Sequence, residues 1–220
     1  YKGGGVTCQN TTNDTDRSYW LLVSEAEYEE WQKKKKVTVA SLNVDGLPKS
    51  VKVAGVSIEL NPDGKEGPGA TAIAQRLLNS GFDIIGVSED FNYHSELWDV
   101  AWNNGAGYNA TTHRGSIGAD VGAMIDFVQK KPVVESDGLC TFYKLTAVSG
   151  DGSSIKKSEK WTEWNDHYGY TDSGADGLIR KGYRFSVVTL ADGTELDLYT
   201  LHMDAETNPE DNAARASQLT

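Results

Sequence analysis

The chain has 220 residues, of which 38% are hydrophobic and 24% charged, with only five prolines. That suffices for one α/β domain with its own core and argues against disorder. Lys+Arg 21 against Asp+Glu 32 gives −11 at pH 7, which disfavours long-range attraction to nucleic acid or an anionic membrane, although a bound divalent cation can reverse the field locally.

No run reaches the roughly 20 apolar residues of a membrane span. The chain opens on Tyr1 with no signal peptide, as expected of a processed or trimmed product. Cys8 and Cys140 are the only cysteines and either bridge or stay reduced. Asn10-Thr-Thr, Asn13-Asp-Thr and Asn109-Ala-Thr match the glycosylation acceptor pattern. The balance favours a secreted, cell-surface or periplasmic protein.

In chain order, a Gly-, Asn- and Thr-rich arm runs through about Ser18. Ser24-Glu-Ala-Glu27 is a capping-box pattern that predicts a helix up to the lysines at 33–36. Residues 1–36 are therefore read as an arm and helix, and 37–220 as the main domain. Val37–Asn43 reads as a strand stopped by Asp45-Gly46 and Pro48. A polar loop through Asn61-Pro-Asp-Gly and Gly67-Pro68-Gly69 leads to an amphipathic helix over Ala70–Ser80, closed by Gly81. Asp83–Glu89 reads as a buried strand. His94–Asn104 reads as a helix with Leu97, Val100 and Ala101 on one side. The stretch from Tyr108 to Ser136 is loop-rich, Leu139–Leu145 is a short strand, and Ser149–Ser158 has a flexible composition. Tyr183–Leu190 and Glu195–Met203 flank Ala191-Asp-Gly193 as a β-hairpin, and Asn208-Pro209 caps a last helix. Alternating helices and strands give an α/β or α+β class.

Three predicted strands end in polar residues that share a face by period-two alternation. These sets are Val37, Val39, Ser41 and Asn43; Ile85, Val87 and Glu89; and Leu196, Leu198, Thr200 and His202. If the strands lie side by side, Asn43, Glu89 and His202 converge at one rim. An amide oxygen and a carboxylate are hard donors suited to Mg²⁺. Each residue also has a plain alternative: Asn43 as a turn cap, Glu89 as a solvated strand end, His202 as a structural histidine.

Several ordered stretches resemble the endonuclease/exonuclease/phosphatase superfamily. Ser41-Leu-Asn-Val-Asp-Gly-Leu-Pro48 is similar to its first motif, and Phe82-Asp-Ile-Ile-Gly-Val-Ser-Glu-Asp-Phe91 to its second, with Ser88 where Gln is usual. Ser136-Asp-Gly-Leu139 resembles its "S-G-L" segment. Asp176-Gly-Leu-Ile-Arg-Lys-Gly-Tyr183 resembles the "K-G-(F/Y)" segment of sphingomyelinase-like members. Asp197-Leu-Tyr-Thr-Leu-His-Met-Asp-Ala205 resembles "N-T-H-(L/T)-x-A", with Arg215 and Gln218 on the helix behind. The family's later "G-D-x-N" and "D-H" motifs have no counterpart here.

The resemblance implies a four-layer αββα sandwich whose C-terminal portion is missing from this chain. It implies a Mg²⁺- (or Mn²⁺-) dependent phosphodiesterase of sphingomyelinase-like type. Glu89 and Asn43 would bind metal, Asp45 would support the metal's water shell, and His202 would act in catalysis. Lys181 can contact phosphate or be solvated. Asn92, His94, His113 and Arg114 follow predicted strands and are candidate substrate contacts. Trp161, Trp164, Tyr168 and Tyr170 either form an aromatic rim for a choline-like head group or pack a loop. The partner implied is a phosphoester, with a phospholipid head group as one form and nucleic acid less favoured by the charge. A nuclease or sugar/inositol phosphatase of the same superfamily is the alternative enzyme, and an inactive secreted binding module the alternative of another class.

Overall fold

The computed structural model describes residues 2–3, 6–9, 21–33, 36–47, 49–53, 56–59, 61, 68–91, 94–113, 136–164, 179–205 and 208–220. The chain divides into two compact units, 1–37 and 38–220. In the first, β1 (Lys2–Gly3), β2 (Val6–Gln9) and β3 (Leu21–Ser24) form an antiparallel sheet, followed by helix α1 (Glu25–Lys33). The capping box forms in both directions. Ser24 N donates to Glu27 Oε2 at 2.8 Å and Glu27 N donates to Ser24 Oγ at 3.2 Å, satisfying two amides at the helix start.

The second unit holds the main core. Strand β4 (Val39–Asn43) is followed by a small antiparallel hairpin, β5 (Ser50–Val53) and β6 (Val56–Glu59). The expected polar loop from Asn61 follows this hairpin, and its residues 62–67 lie outside the described residues. Ser50-Val-Lys-Val53 and Val56-Ser-Ile-Glu59 alternate with period two, a signal masked by the Pro/Gly-rich flank. Helix α2 (Pro68–Leu78) leads through Gly81 (φ 85°) into strand β7 (Ile84–Ser88). Helix α3 (His94–Trp98) continues as a π-helical turn over Asp99–Asn103, followed by β8 (Tyr108–Ala110) and β9 (Cys140–Lys144). Asn109 sits in β8 with its side-chain amide hydrogen-bonded to Asp151 O and Ala110 N. Helix α4 (Ser153–Ser158) replaces the expected flexible segment, because Ile155 finds a buried seat at 1% exposure. Strands β10 (Lys160–Glu163), β11 (Gly182–Thr189) and β12 (Glu195–His202) precede helix α5 (Pro209–Gln218), whose N-cap Asn208 accepts from Asp211 N at 2.8 Å.

Two sheets carry the unit, in the orders β4-β7-β9-β8 and β10-β11-β12. Ile85, Val87, Cys140 and Phe142 form one core cluster with Ala70, Ala74, Leu78, Leu97, Val100 and Ala101 of the helices. The other face of the first sheet meets the second sheet. Thr141 Oγ1 and Thr200 Oγ1 are 2.7 Å apart, and a Cβ on Gly86 would lie 3.3 Å from Thr200 Oγ1. Beyond the second sheet, Trp164 and Tyr183 share a cavity of about 250 Å³ with Ser217 and Gln218 of α5. The fold is mixed α/β, with α2 and α3 on one face of the first sheet and the second sheet on the other.

One register expectation is corrected here. Ile85 and Val87 do not face the second sheet; they pack under α2 and α3. In the parallel β4–β7 ladder, Ala40 and Leu42 pair with Ile85 and Val87, while Val39, Ser41 and Asn43 pair with Ile84, Gly86 and Ser88. Near the rim the residues facing between the sheets are therefore small or polar, Ser41, Asn43, Gly86, Ser88 and Thr141, while buried Ile84, Tyr143 and Val188 fill the gap further in. Hydropathy alternation in Ile84-Ile-Gly-Val-Ser88 does not fix which phase faces which layer, since both faces are covered.

A buried ion network ties the layers together. Arg184 of β11 donates through Nη2 to Asp137 Oδ2 at 2.6 Å and through Nε to the same oxygen at 3.1 Å, and Nη1 pairs with Glu159 Oε1. The side chains are 8%, 0% and 5% exposed. Burial by itself would lower the Arg184 pKa, but the bond and charge of Asp137 and the charge of Glu159 raise it. Replacing Arg184 by Met should strand two buried carboxylates and cost about 3–5 kcal/mol. Equilibrium urea unfolding should then show a lower midpoint at unchanged slope; a midpoint within error of wild type would contradict this role.

Candidate functional site

Strands β4 and β12 deliver Asn43 and His202 to the space between the sheets by simple alternation. His202 follows Thr200 on one face, and Asn43 follows Ser41. Glu89 arrives differently. Strand β7 ends at Ser88, and Glu89 takes a left-handed backbone, φ 59°. That break undoes the alternation that would otherwise send its side chain toward the helices with Val87. Asp45 is also left-handed, φ 51°. Between them the chain passes so close that a Cβ on Gly46 would lie 2.2 Å from Glu89 O, so glycine is required there.

The contacts run in a chain. Asn43 Nδ2 donates to Glu89 Oε1 at 2.7 Å, and Asn43 Oδ1 accepts from Asp45 N at 2.8 Å. Asn43 is thus both a turn cap and a neighbour of the carboxylate. His202 Nε2 stands 3.4 Å from Glu89 Oε1 and 3.1 Å from Lys181 Nζ. The ring nitrogen serves one partner at a time: protonated it donates to Glu89, and unprotonated it accepts from Lys181. Trp164 Nε1 donates to His202 O at 2.9 Å, which holds the end of β12. Burial alone would raise the Glu89 pKa. Hydrogen bonds from His202 and Asn43, with the positive charge of His202 and Lys181, hold it below the ordinary carboxylate range instead.

The remaining candidates divide. Asp45 sits beside Asn43, its Oδ1 accepting from Asn61 Nδ2 at 2.8 Å. Lys181 is only 1% exposed and lies against His202 rather than in solvent. His94 and His113 group with Asp90: His94 Nδ1 is 2.7 Å from Asp90 Oδ2, and His113 Nε2 is 2.6 Å from Asp90 O. Burial and the neighbouring His94 lower the His113 pKa. Asn92 and Arg114 lie outside the described residues, as do Tyr168 and Tyr170. Cys140 is a free, buried thiol. Sequence reasoning missed Arg184, Asp137 and Asp90. The inward register of Arg184 on an alternating strand was the available signal for the first of these.

No protein-family model matches the chain, and no curated protein matches it. Among solved structures it is similar to an endonuclease/exonuclease/phosphatase from Beutenbergia cavernae DSM 12333, with 12% identity and a TM-score of 0.48 over 83% of this chain and 42% of that one. The chain thus spans under half of that protein's length.

The left-handed backbone at Glu89 is directly testable. Ala is ordinarily the more stable replacement, because glycine has more conformational freedom to lose on folding. At φ 59° the Cβ penalty of about 1–2 kcal/mol outweighs that difference. Glu89→Gly should therefore be more stable than Glu89→Ala by about 1 kcal/mol, and thermal unfolding of the two variants side by side reads the order. Ala above Gly would mean that Glu89 is not held left-handed.

Proposed function

We propose that this chain carries the metal-binding part of a phosphoester hydrolase of the endonuclease/exonuclease/phosphatase type, with a sphingomyelinase-like phosphodiesterase as the particular reaction. The observation that carries this reading is the joining of Asn43, Glu89, His202 and Lys181 in one contact chain between two sheets. The ordered motifs around Asn43, Glu89, Lys181 and His202 support the type. The "K-G-Y" stretch at 181–183 supports the branch.

The donor set fits a hard divalent cation. Glu89 is an ionised carboxylate with 17% of its side chain exposed, Asn43 is exposed, and Asp45 stands two residues away. Asn43 now turns its NH₂ to Glu89 and its oxygen to Asp45 N, so holding a cation beside Glu89 requires the amide to exchange those two roles. Bound Mg²⁺ or Mn²⁺ would polarise a phosphate oxygen and neutralise charge developing on it. Glu89 and Asn43 would hold that ion, and Asp45 would orient its water shell. His202, protonated at Nε2, has the proton to donate to a phosphate oxygen or the leaving group. Lys181, buried behind it, adds positive charge where the anionic substrate would sit.

The test uses the full-length protein. Glu89→Gln keeps the shape and removes the one charged ligand, so Mg²⁺-dependent phosphodiester hydrolysis should fall by about 100-fold or more, with a smaller loss for Asn43→Ala. Release of choline phosphate beside plasmid nicking separates the sphingomyelinase-like reaction from a nuclease. Activity and a Mg²⁺ titration unchanged in Glu89→Gln would reject the metal assignment.

A further inference from the structure

A second set of donors lies on the opposite face of the same sheet. Asp90, His94 and Cys140 each offer one ligand atom, and these atoms all lie within 4.8 Å of one another. Cys140 belongs to the core cluster beneath α2 and α3, and the His94 ring lies 6.2 Å from that of Phe142 in the same cluster. The Asp90 side chain is 0% exposed, yet its Oδ1 has no hydrogen-bond partner among the described residues. Buried carboxylate oxygens are nearly always satisfied, and an unmet one needs an explanation. A histidine–aspartate pair alone would account for Oδ2, which meets His94 Nδ1 at 2.7 Å. It leaves Oδ1 without a role.

We propose that Asp90, His94 and Cys140 bind a transition-metal ion of the zinc type, separate from the oxygen-donor site at Asn43 and Glu89. The donor chemistry makes the selection. A thiolate and an imidazole favour Zn²⁺ over Mg²⁺, which prefers oxygen ligands throughout. Bond lengths of about 2.0–2.3 Å place the ligand atoms of a tetrahedral site roughly 3.3–3.8 Å apart. Side-chain shifts of about 1 Å close the present cluster onto an ion of that size. His113 supplies the outer support: its ring stacks on His94 with centroids 3.8 Å apart, and its Nε2 meets Asp90 O at 2.6 Å. Entry is by way of His94, whose side chain is 24% exposed. On binding, the Cys140 S–H proton passes to solvent, His94 binds through Nδ1 with its proton on Nε2, and Asp90 contributes an ionised carboxylate. No group is oxidised or reduced. The position next to Glu89 in sequence gives the ion a structural task, fixing the turn that aims Glu89 between the sheets.

Cobalt(II) reports on such a site, because a bound thiolate gives a charge-transfer absorption that oxygen and nitrogen ligands do not. The full chain, in a Cys8→Ser background, should take up one equivalent of Co²⁺ with that absorption, and Zn²⁺ should displace it. Cys140→Ala should abolish the band. His94→Gln, at a partly exposed helix start, should keep the fold and weaken Zn²⁺ binding by at least about 100-fold, more than the roughly 10–100-fold of an outer-shell change. Glu89→Gln should leave the cobalt spectrum intact, so failure of the phosphoesterase reading does not touch this one. Absence of a thiolate band in the Cys8→Ser protein overturns the proposal. So does a band that survives Cys140→Ala, or unchanged affinity in His94→Gln.

Discussion

The architecture turns on one close approach between two sheets. Gly86 on β7 presents no side chain, so Thr200 of β12 comes within van der Waals reach of the strand backbone and meets Thr141 at 2.7 Å. Facing sheets usually stand about 10 Å apart, with large side chains filling the gap. Here small and hydroxyl-bearing residues fill it beside Gly86, and Ile84, Tyr143 and Val188 fill it further from the rim. Everything nearer the rim inherits that spacing. Two residues beyond Thr200, His202 falls within 3.4 Å of Glu89, a contact that a bulkier pair at 86 and 200 would hold apart. The same interlayer takes in Arg184, whose guanidinium is acceptable inside the protein because Asp137 and Glu159 surround it.

At the rim, backbone strain does what side-chain choice cannot. Asp45 and Glu89 are the two non-glycine residues with positive φ among those described, and both border the same contact chain. Such conformations cost energy and persist where the surroundings over-determine them. Here Gly46 permits the tight crossing, Val44 N donates to Ser88 O at 3.0 Å, and Asp90 N donates to Gly138 O at 2.8 Å, so the Glu89 turn is fastened on both sides. The result is a carboxylate turned out of the helix-facing register and held ionised by His202, Asn43 and Lys181.

Because β7 is covered on both faces, its end serves two chemically different environments. Glu89 looks between the sheets toward hard, oxygen- and nitrogen-bearing neighbours, while Asp90 looks the other way toward imidazoles and a thiol. Adjacent residues pointing to opposite sides is what an extended chain gives by default. What is unusual is that the reversal falls at Glu89, so that the two acids keep opposite orientations with exchanged phase.

The sequence by itself determined the element types wherever local chemistry is strong: the Ser24–Glu27 box, the Asn208-Pro209 start, the Gly81 stop and the β11–β12 hairpin. Each rests on interactions within a few residues. It also singled out Asn43, Glu89 and His202, because polar residues ending apolar strands stand out by type. It could not assign the phase of β7, since a strand buried on both sides carries no apolar–polar contrast to read. The β5–β6 hairpin and α4 were illegible for a related reason: short segments gain their stability from packing rather than from propensity. Only the tertiary structure decided that Lys181 is buried against His202, that His94 and His113 converge on Asp90, and that Arg184 meets Asp137 across 47 positions of sequence. Those contacts join strands and loops distant in the chain, and no local pattern encodes which distant partner a buried charge will find.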